Sequence, residues 1–196
     1  DVYKRQMHGR WGHAAKELYN SKKFTFDGEK EVDADYICIN MRKVAAQARN
    51  NGKVLRYVMI DHLHRMNFDL KSHGSMTYAI RDSVRKIKNC ASELGISVLL
   101  LAQLNNKAEG QDPTSFHILD SASVRHELQA FIGVRMYRED GETFFGVFGD
   151  SQRFGDEDTL HYPAYLKLIN GVLRSLPEYQ SNWVPTKDEV KKEWKN

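Results

Sequence analysis

Two polar residues close two apolar runs, and what they could do chemically governs the rest of the reading. Lys53-Val54-Leu55-Arg56-Tyr57-Val58-Met59-Ile60 leads into Asp61, and Ile96-Ser97-Val98-Leu99-Leu100-Leu101-Ala102 leads into Gln103. Short apolar runs of this kind read as buried strands. A carboxylate at a strand end can position a hydrated magnesium ion on nucleotide phosphates. A carboxamide carries both a donor and an acceptor, so it can meet either a phosphate oxygen or a water and respond to which is present. Taken alone neither residue is specific, because an Asp after a strand is also an ordinary turn residue.

The segment between the runs ties the two residues together. Met76, Ile80, Val84, Ile87, Ala91 and Leu94 recur at steps of three and four, the period of an amphipathic helix, and Gly95 supplies a left-handed cap. A strand, a crossover helix and a returning strand make a right-handed unit with parallel strands. Ligands of open α/β sheets bind beyond the carboxyl ends of the strands, so Asp61 and Gln103 are expected to face one crevice.

Composition bounds the function classes. A chain of 196 residues has room for one domain and a real core, and its net charge of +3, from 29 basic and 26 acidic residues, neither demands nor excludes a polyanionic partner. Cys38 and Cys90 both fall inside helical patterns with apolar neighbours, which argues against a disulfide framework and for a reducing compartment. No apolar run approaches the ~18 residues of a membrane span and no signal peptide is visible, so a soluble, cytoplasmic protein is expected. The first six residues, Asp1-Val2-Tyr3-Lys4-Arg5-Gln6, resemble the translation of a sequencing adapter. They are expected to be a scar that replaces an upstream portion of the protein.

Elsewhere the pattern is local. A short helix is expected from Trp11 to Leu18 and a short strand at Phe24-Thr25-Phe26. Asp33 suits an N-cap for a helix carrying Ile37, Met41, Val44 and Ala48, which Asn51-Gly52 ends. The stretch from Asn105 to Ser123 is polar, holds Gly110 and Pro113, and reads as a long functional loop. Strands are expected from Ala130 to Tyr137 and from Thr143 to Phe148, with a polar loop from Asp150 to Asp158. Two more, from Ala164 to Ile169 and from Val172 to Tyr179, flank the hairpin signal Asn170-Gly171. Residues 181–196 form a charged tail. No internal repeat and no compositional boundary is evident.

Some residues admit two uses. His62 and His64 would point the same way if the strand continued past Asp61, as a metal site needs, but no third ligand stands at a telling spacing and local hydrogen bonding is the better expectation. Tyr57 and Met59 read as core. Phe144, Phe145 and Phe148 read as sheet packing in preference to a stacking platform for single strands.

Four apolar residues before Asp61 match the hhhhD pattern of a Walker B strand. With Val58-Met59-Ile60-Asp61-His62-Leu63, Leu101-Ala102-Gln103-Leu104-Asn105-Asn106, the block from Ile118 to Arg125, and Lys167-Leu168-Ile169-Asn170-Gly171 in view, the chain resembles the carboxy-terminal, RecA-like motor domain of DnaB-type replicative helicases and the related phage primase-helicases. The likeness runs from about Trp11 to Tyr179. It implies an α/β fold with a RecA-like, largely parallel sheet flanked by helices and extended by antiparallel strands near the carboxy end. Residues 7–180 would then be a partial motor domain.

The resemblance implies ATP and Mg2+ as cofactors, single-stranded DNA in the channel of a homo-oligomeric ring, expected to be a hexamer, and a primase or loader as further partners. Asp61 would support the magnesium ion through water, Gln103 would sense the γ-phosphate, and Lys167 would act on the neighbouring subunit's nucleotide. Lys71, Lys107 and Arg125 would be the cations of the DNA-facing loops, from Asn67 to Ser75 and from Asn106 to Ser123, and would make binding salt-dependent.

Four departures from the family pattern stand out. No Gly-x-x-x-x-Gly-Lys-Ser/Thr loop and no identifiable catalytic Glu precede Asp61. Ile169 stands where the family's Lys-x-Arg-Asn-Gly strand carries an arginine finger, leaving Arg174 across the hairpin as a displaced candidate. The family's Arg-Glu-Ser-Gly segment is Asp120-Ser121-Ala122-Ser123 here. Alternative readings are a RecA/RadA-type recombinase or another ring ATPase, and a non-catalytic nucleic-acid-binding or scaffold remnant.

Overall fold

Asp33 starts the first long helix, as its side chain predicts: Oδ1 accepts the Tyr36 N–H at 2.7 Å. That helix, α1 (Ala34–Asn50), buries Ala34, Ile37, Cys38, Met41 and Ala45 along one face. Asn51 closes it, and Gly52, at φ 65°, turns the chain towards the first strand. The computed structural model describes residues 16–17, 20–21, 23–119, 124–139, 142–152, 163–169 and 171–176. The chain divides into two compact units, residues 1–31 and 32–196.

In the first unit the described backbone over 24–29 is irregular, so the strand expected at Phe24-Thr25-Phe26 is absent. Three alternating residues without a pairing partner cannot satisfy a ladder. The helix expected from Trp11 to Leu18 lies largely outside the described residues.

The second unit carries the site. After α1 come β1 (Tyr57–Ile60), the short α2 (Leu70–His73), α3 (Met76–Leu94), β2 (Ser97–Leu100), β3 (Ala130–Glu139), β4 (Glu142–Gln152), β5 (Ala164–Ile169) and β6 (Val172–Ser175). β1 and β2 pair in parallel, with Tyr57 opposite Ser97 and Ile60 opposite Leu100. The helix between them spans the stretch its periodicity predicts, and Gly95, at φ 65°, caps it in the left-handed conformation. Both strands are shorter than the apolar runs that announced them.

One side of this pair is well covered. Val58, Ile60, Val98 and Leu100 pack against a core built from α1, from Ile80, Val84, Ile87, Cys90 and Ala91 of α3, and from Leu63, Met66, Ile96 and Val124. Cys38 and Cys90 are buried free thiols in that core. Burial pushes the Cys38 thiol up to about 11, helped by the neighbouring Cys90. The opposite side is largely exposed, which corrects the expectation of two buried strands with Tyr57 and Met59 in the core. Tyr57 is 77% exposed, Met59 65% and Leu99 48%.

The remaining strands form a separate antiparallel sheet in the order β3-β4-β5-β6, so the parallel part of the fold is confined to β1 and β2 among the described residues. β4 runs on to Gln152, taking in Asp150, which was expected to start a loop. Residues 153–162 and 177–196, and with them most of that loop and the charged tail, lie outside the described residues. The β5–β6 hairpin forms where Asn170-Gly171 predicts it, with Gly171 at φ 78°. Phe144 is buried, and Phe148 meets Tyr165 edge to face at 6.5 Å, so these aromatic residues pack within the sheet.

The chain entering β3 is clamped to α3. Glu127 lies 3.5 Å from Arg81 and 3.2 Å from Lys88. Burial alone would raise its pKa, yet the hydrogen bonds and charges of Lys88 and Arg81 outweigh that and hold the carboxyl below its ordinary range. Among the described residues no helix is long and apolar enough to cross a membrane.

Candidate functional site

Asp61 and Gln103 emerge from neighbouring strand ends. The Leu101 N–H donates to the Ile60 carbonyl at 3.0 Å, and the Leu63 N–H donates to the Leu101 carbonyl at 2.8 Å. The chain after β1 is thereby laced across the end of β2. Leu63, fully buried, anchors a single turn, Leu63–Arg65, and leaves Asp61 exposed at the rim. The Asp61–His62 peptide is cis. Gln103 is exposed two residues beyond Leu101.

The turn at Leu63–Arg65 also corrects the geometry on which a His62/His64 metal pair depends, because the strand stops at Ile60. The two rings stand 6.1 Å apart, and no group of three or more His, Cys, Asp or Glu residues among those described could hold a metal ion. His62 Nδ1 is buried without a hydrogen-bond partner. His64 is engaged elsewhere: its Nδ1 accepts the Gln103 N–H at 3.4 Å, and its Nε2 lies 3.0 Å from the Leu119 carbonyl.

Beyond Gln103 the long polar segment is closed at its neck. Leu119 N–H donates to the Gln103 carbonyl at 2.9 Å, Asn105 N–H donates to the His117 carbonyl at 2.7 Å, and Leu104 bridges Ile118. It is also fastened to the antiparallel sheet. The Ser115 N–H donates to Asp150 Oδ2 at 2.7 Å, and Arg135 meets Asp112 at 3.3 Å. Pro113 lies so close to Gly133 that a Cβ there would stand 2.6 Å from the proline Cγ. Glycine is required at 133 for that approach.

The expected cations fall on separate elements. Lys71 is exposed on α2, whose Asp69 cap is held below the ordinary carboxylate range by its hydrogen bonds from Ser72. Lys107 is exposed in the turn Asn106–Ala108. Arg125 stacks 3.9 Å over the largely exposed ring of Phe116. Asp120 to Ser123 lie outside the described residues.

Lys167 on β5 is the register partner of Arg174 on β6, so the two cations share a face of the sheet. Lys167 Nζ is 2.7 Å from Glu142 and 5.2 Å from the centre of the Phe144 ring. Ile169 faces Val172. The bridging role of His64 and the anchoring role of Asp150 were not legible in the sequence. Their partners lie 39 and 55 residues away for His64 and 35 for Asp150, and no local pattern marks such contacts.

The donor set can be weighed against the expected magnesium ion. Asp61 is exposed and has no ion-pair partner among the described residues, which suits a cation held mostly by water and phosphate. The sequence before Asp61 contains no phosphate-cradling loop to complete such a site.

A mixed α/β domain with one parallel pair, a carboxylate and a carboxamide at adjoining strand ends, and an appended antiparallel sheet is a partial RecA-like domain. A family model for the DnaB-like helicase C terminal domain matches residues 3–143, and the chain belongs to that family. The match stops before Lys167 and Arg174. Comparison with curated proteins finds no match.

Proposed function

We propose that this chain is part of an ATP-driven replicative DNA helicase, a ring motor that translocates on one strand and separates the other. The observation that carries the proposal is the emergence of Asp61 and Gln103 from hydrogen-bonded neighbouring strand ends, within a chain of the DnaB-like family. In this reading Asp61 holds a water-coordinated magnesium ion, which when bound would neutralise phosphate charge. Gln103 hydrogen-bonds the terminal phosphate or the water that replaces it, and so distinguishes the two states.

The segment fastened at Gln103 and Leu119 then carries that difference towards DNA, with Lys107 and Arg125 contributing phosphate contacts and Lys71 a further one. Lys167 serves the neighbouring subunit's nucleotide. To do so it must exchange its Glu142 partner for phosphate oxygens. Arg174, the register partner of Lys167 on the same face, supplies in this reading the second cation that Ile169 cannot. The same isoleucine favours a second reading, a DNA-binding or scaffold module without motor activity.

The test uses the protein encoded by the intact gene. Wild type should hydrolyse ATP in a DNA-stimulated manner and unwind a forked duplex without promoting strand exchange. Asp61→Ala and Gln103→Ala should each reduce that hydrolysis by on the order of a hundredfold or more. Normal turnover in either variant rejects the assignment, strand exchange points to a recombinase, and no hydrolysis in wild type points to the scaffold. The 196-residue chain on its own should bind ATP weakly, since nothing in it cradles the α- and β-phosphates. Micromolar affinity by calorimetry would contradict that.

A further inference from the structure

We propose that His64 is a positioning residue that fastens the Gln103 segment to the Asp61 tail through one fixed tautomer. The inference rests on the nucleotide-hydrolysis reading for its consequence, but its geometry stands apart from that reading. His64 is half-buried in the turn Leu63–Arg65, three residues beyond Asp61. Its two ring nitrogens meet two backbone groups of opposite kind. The Gln103 N–H can only donate, so Nδ1 must be bare, and the Leu119 carbonyl can only accept, so Nε2 must carry the hydrogen. Only the neutral ring protonated at Nε2 satisfies both. An imidazolium would set one N–H against another.

The two backbone groups it holds are themselves bonded, since Leu119 N–H donates to the Gln103 carbonyl at 2.9 Å. His64 therefore closes a three-cornered junction between the tail of β1, the Gln103 strand end and the far side of the polar segment. Its own position is fixed on either side. Leu63 is fully buried and bonded to Leu101, and Met66 is buried in the core. A shift of Gln103 on meeting a phosphate is thereby referred to the Asp61 tail on one side and to the polar segment on the other, with no free hinge at the junction.

Three substitutions test this. His64→Ala and His64→Leu remove both contacts, the second while keeping bulk. His64→Gln restores one acceptor and one donor on a planar group of similar reach. In the 196-residue chain, amide hydrogen exchange at Gln103 and Leu119 should accelerate about tenfold or more in the Ala and Leu variants and return to within about threefold of wild type in Gln. Protection along α1 and α3 should not change. Unaltered exchange at Gln103 and Leu119 in His64→Ala overturns the proposal, and so does general loss of protection, which would make the residue merely structural.

In the intact protein the Ala and Leu variants should lose about tenfold in DNA-stimulated kcat, with the KM for ATP within about twofold, and Gln should recover the rate. Full kcat in His64→Ala overturns the positioning role. An inactive wild type overturns the motor reading instead, and the exchange measurement still decides whether His64 is the fastening.

Discussion

The two faces of the β1–β2 pair have the same alternation of apolar side chains and opposite fates. Val58, Ile60, Val98 and Leu100 lie against the core between α1 and α3, while Tyr57, Met59 and Leu99 face outward and are exposed. Parallel sheets of α/β proteins are ordinarily covered on both faces. The unequal cover of the two faces separates residues that hold this chain together from residues of comparable hydrophobicity that do not.

The contrast can be broken by substitution. Leu63→Ala, at a fully buried side chain, should destabilise the chain by about 2–5 kcal/mol in urea unfolding, and Met59→Ala by less than about 0.5 kcal/mol. Equal losses at the two positions would mean that the outer face is covered after all. Gly133→Ala should cost about 1–3 kcal/mol, because its Cβ would collide with Pro113 and lever the polar segment off the antiparallel sheet. Unchanged stability and unchanged proteolysis of that segment would remove Pro113 as an anchor.

Asp33→Ala should lose about 1 kcal/mol, the usual worth of an N-cap, and Asp33→Ser should retain most of it. The covered side also makes a chemical prediction. With its pKa pushed up to about 11, Cys38 holds on the order of one thiolate per thousand at pH 8. Iodoacetamide should alkylate it only after unfolding, and rapid labelling of the folded chain would show that the interface of α1 and α3 opens.

What was legible in the sequence follows the range of the interactions. α1, α3, their Asp33 and Gly95 caps and the Asn170-Gly171 hairpin are written in local period and turn chemistry, and they stand where those signals put them. The observed strands are shorter than the apolar runs because apolar residues lie beyond the paired positions, Val54 and Leu55 before Tyr57, and Leu101 and Ala102 after Leu100. The exposure of Tyr57 and Met59 was illegible, since whether a strand's second face is covered depends on elements remote in sequence.

The same holds at the site. The placement of Asp61 and Gln103 on neighbouring strands follows from a strand, helix and strand of ordinary length. The fastening of that rim by His64 and the tethering of the polar segment by Asp150 required the folded chain, because each contact joins residues more than thirty positions apart. The apparent pairing of His62 with His64 failed for a local reason: a continuous strand would have aligned them, and the buried Leu63 turn intervenes.

The central claim is that Asp61 and Gln103 act on one nucleotide as a unit, and a double-mutant cycle on DNA-stimulated kcat in the intact protein tests it most directly. Asp61→Asn and Gln103→Asn, each chosen to weaken without abolishing turnover, should be strongly non-additive, with a coupling above about 1 kcal/mol. Losses that add to within about 0.5 kcal/mol would contradict the account, since independent sites behave in that way.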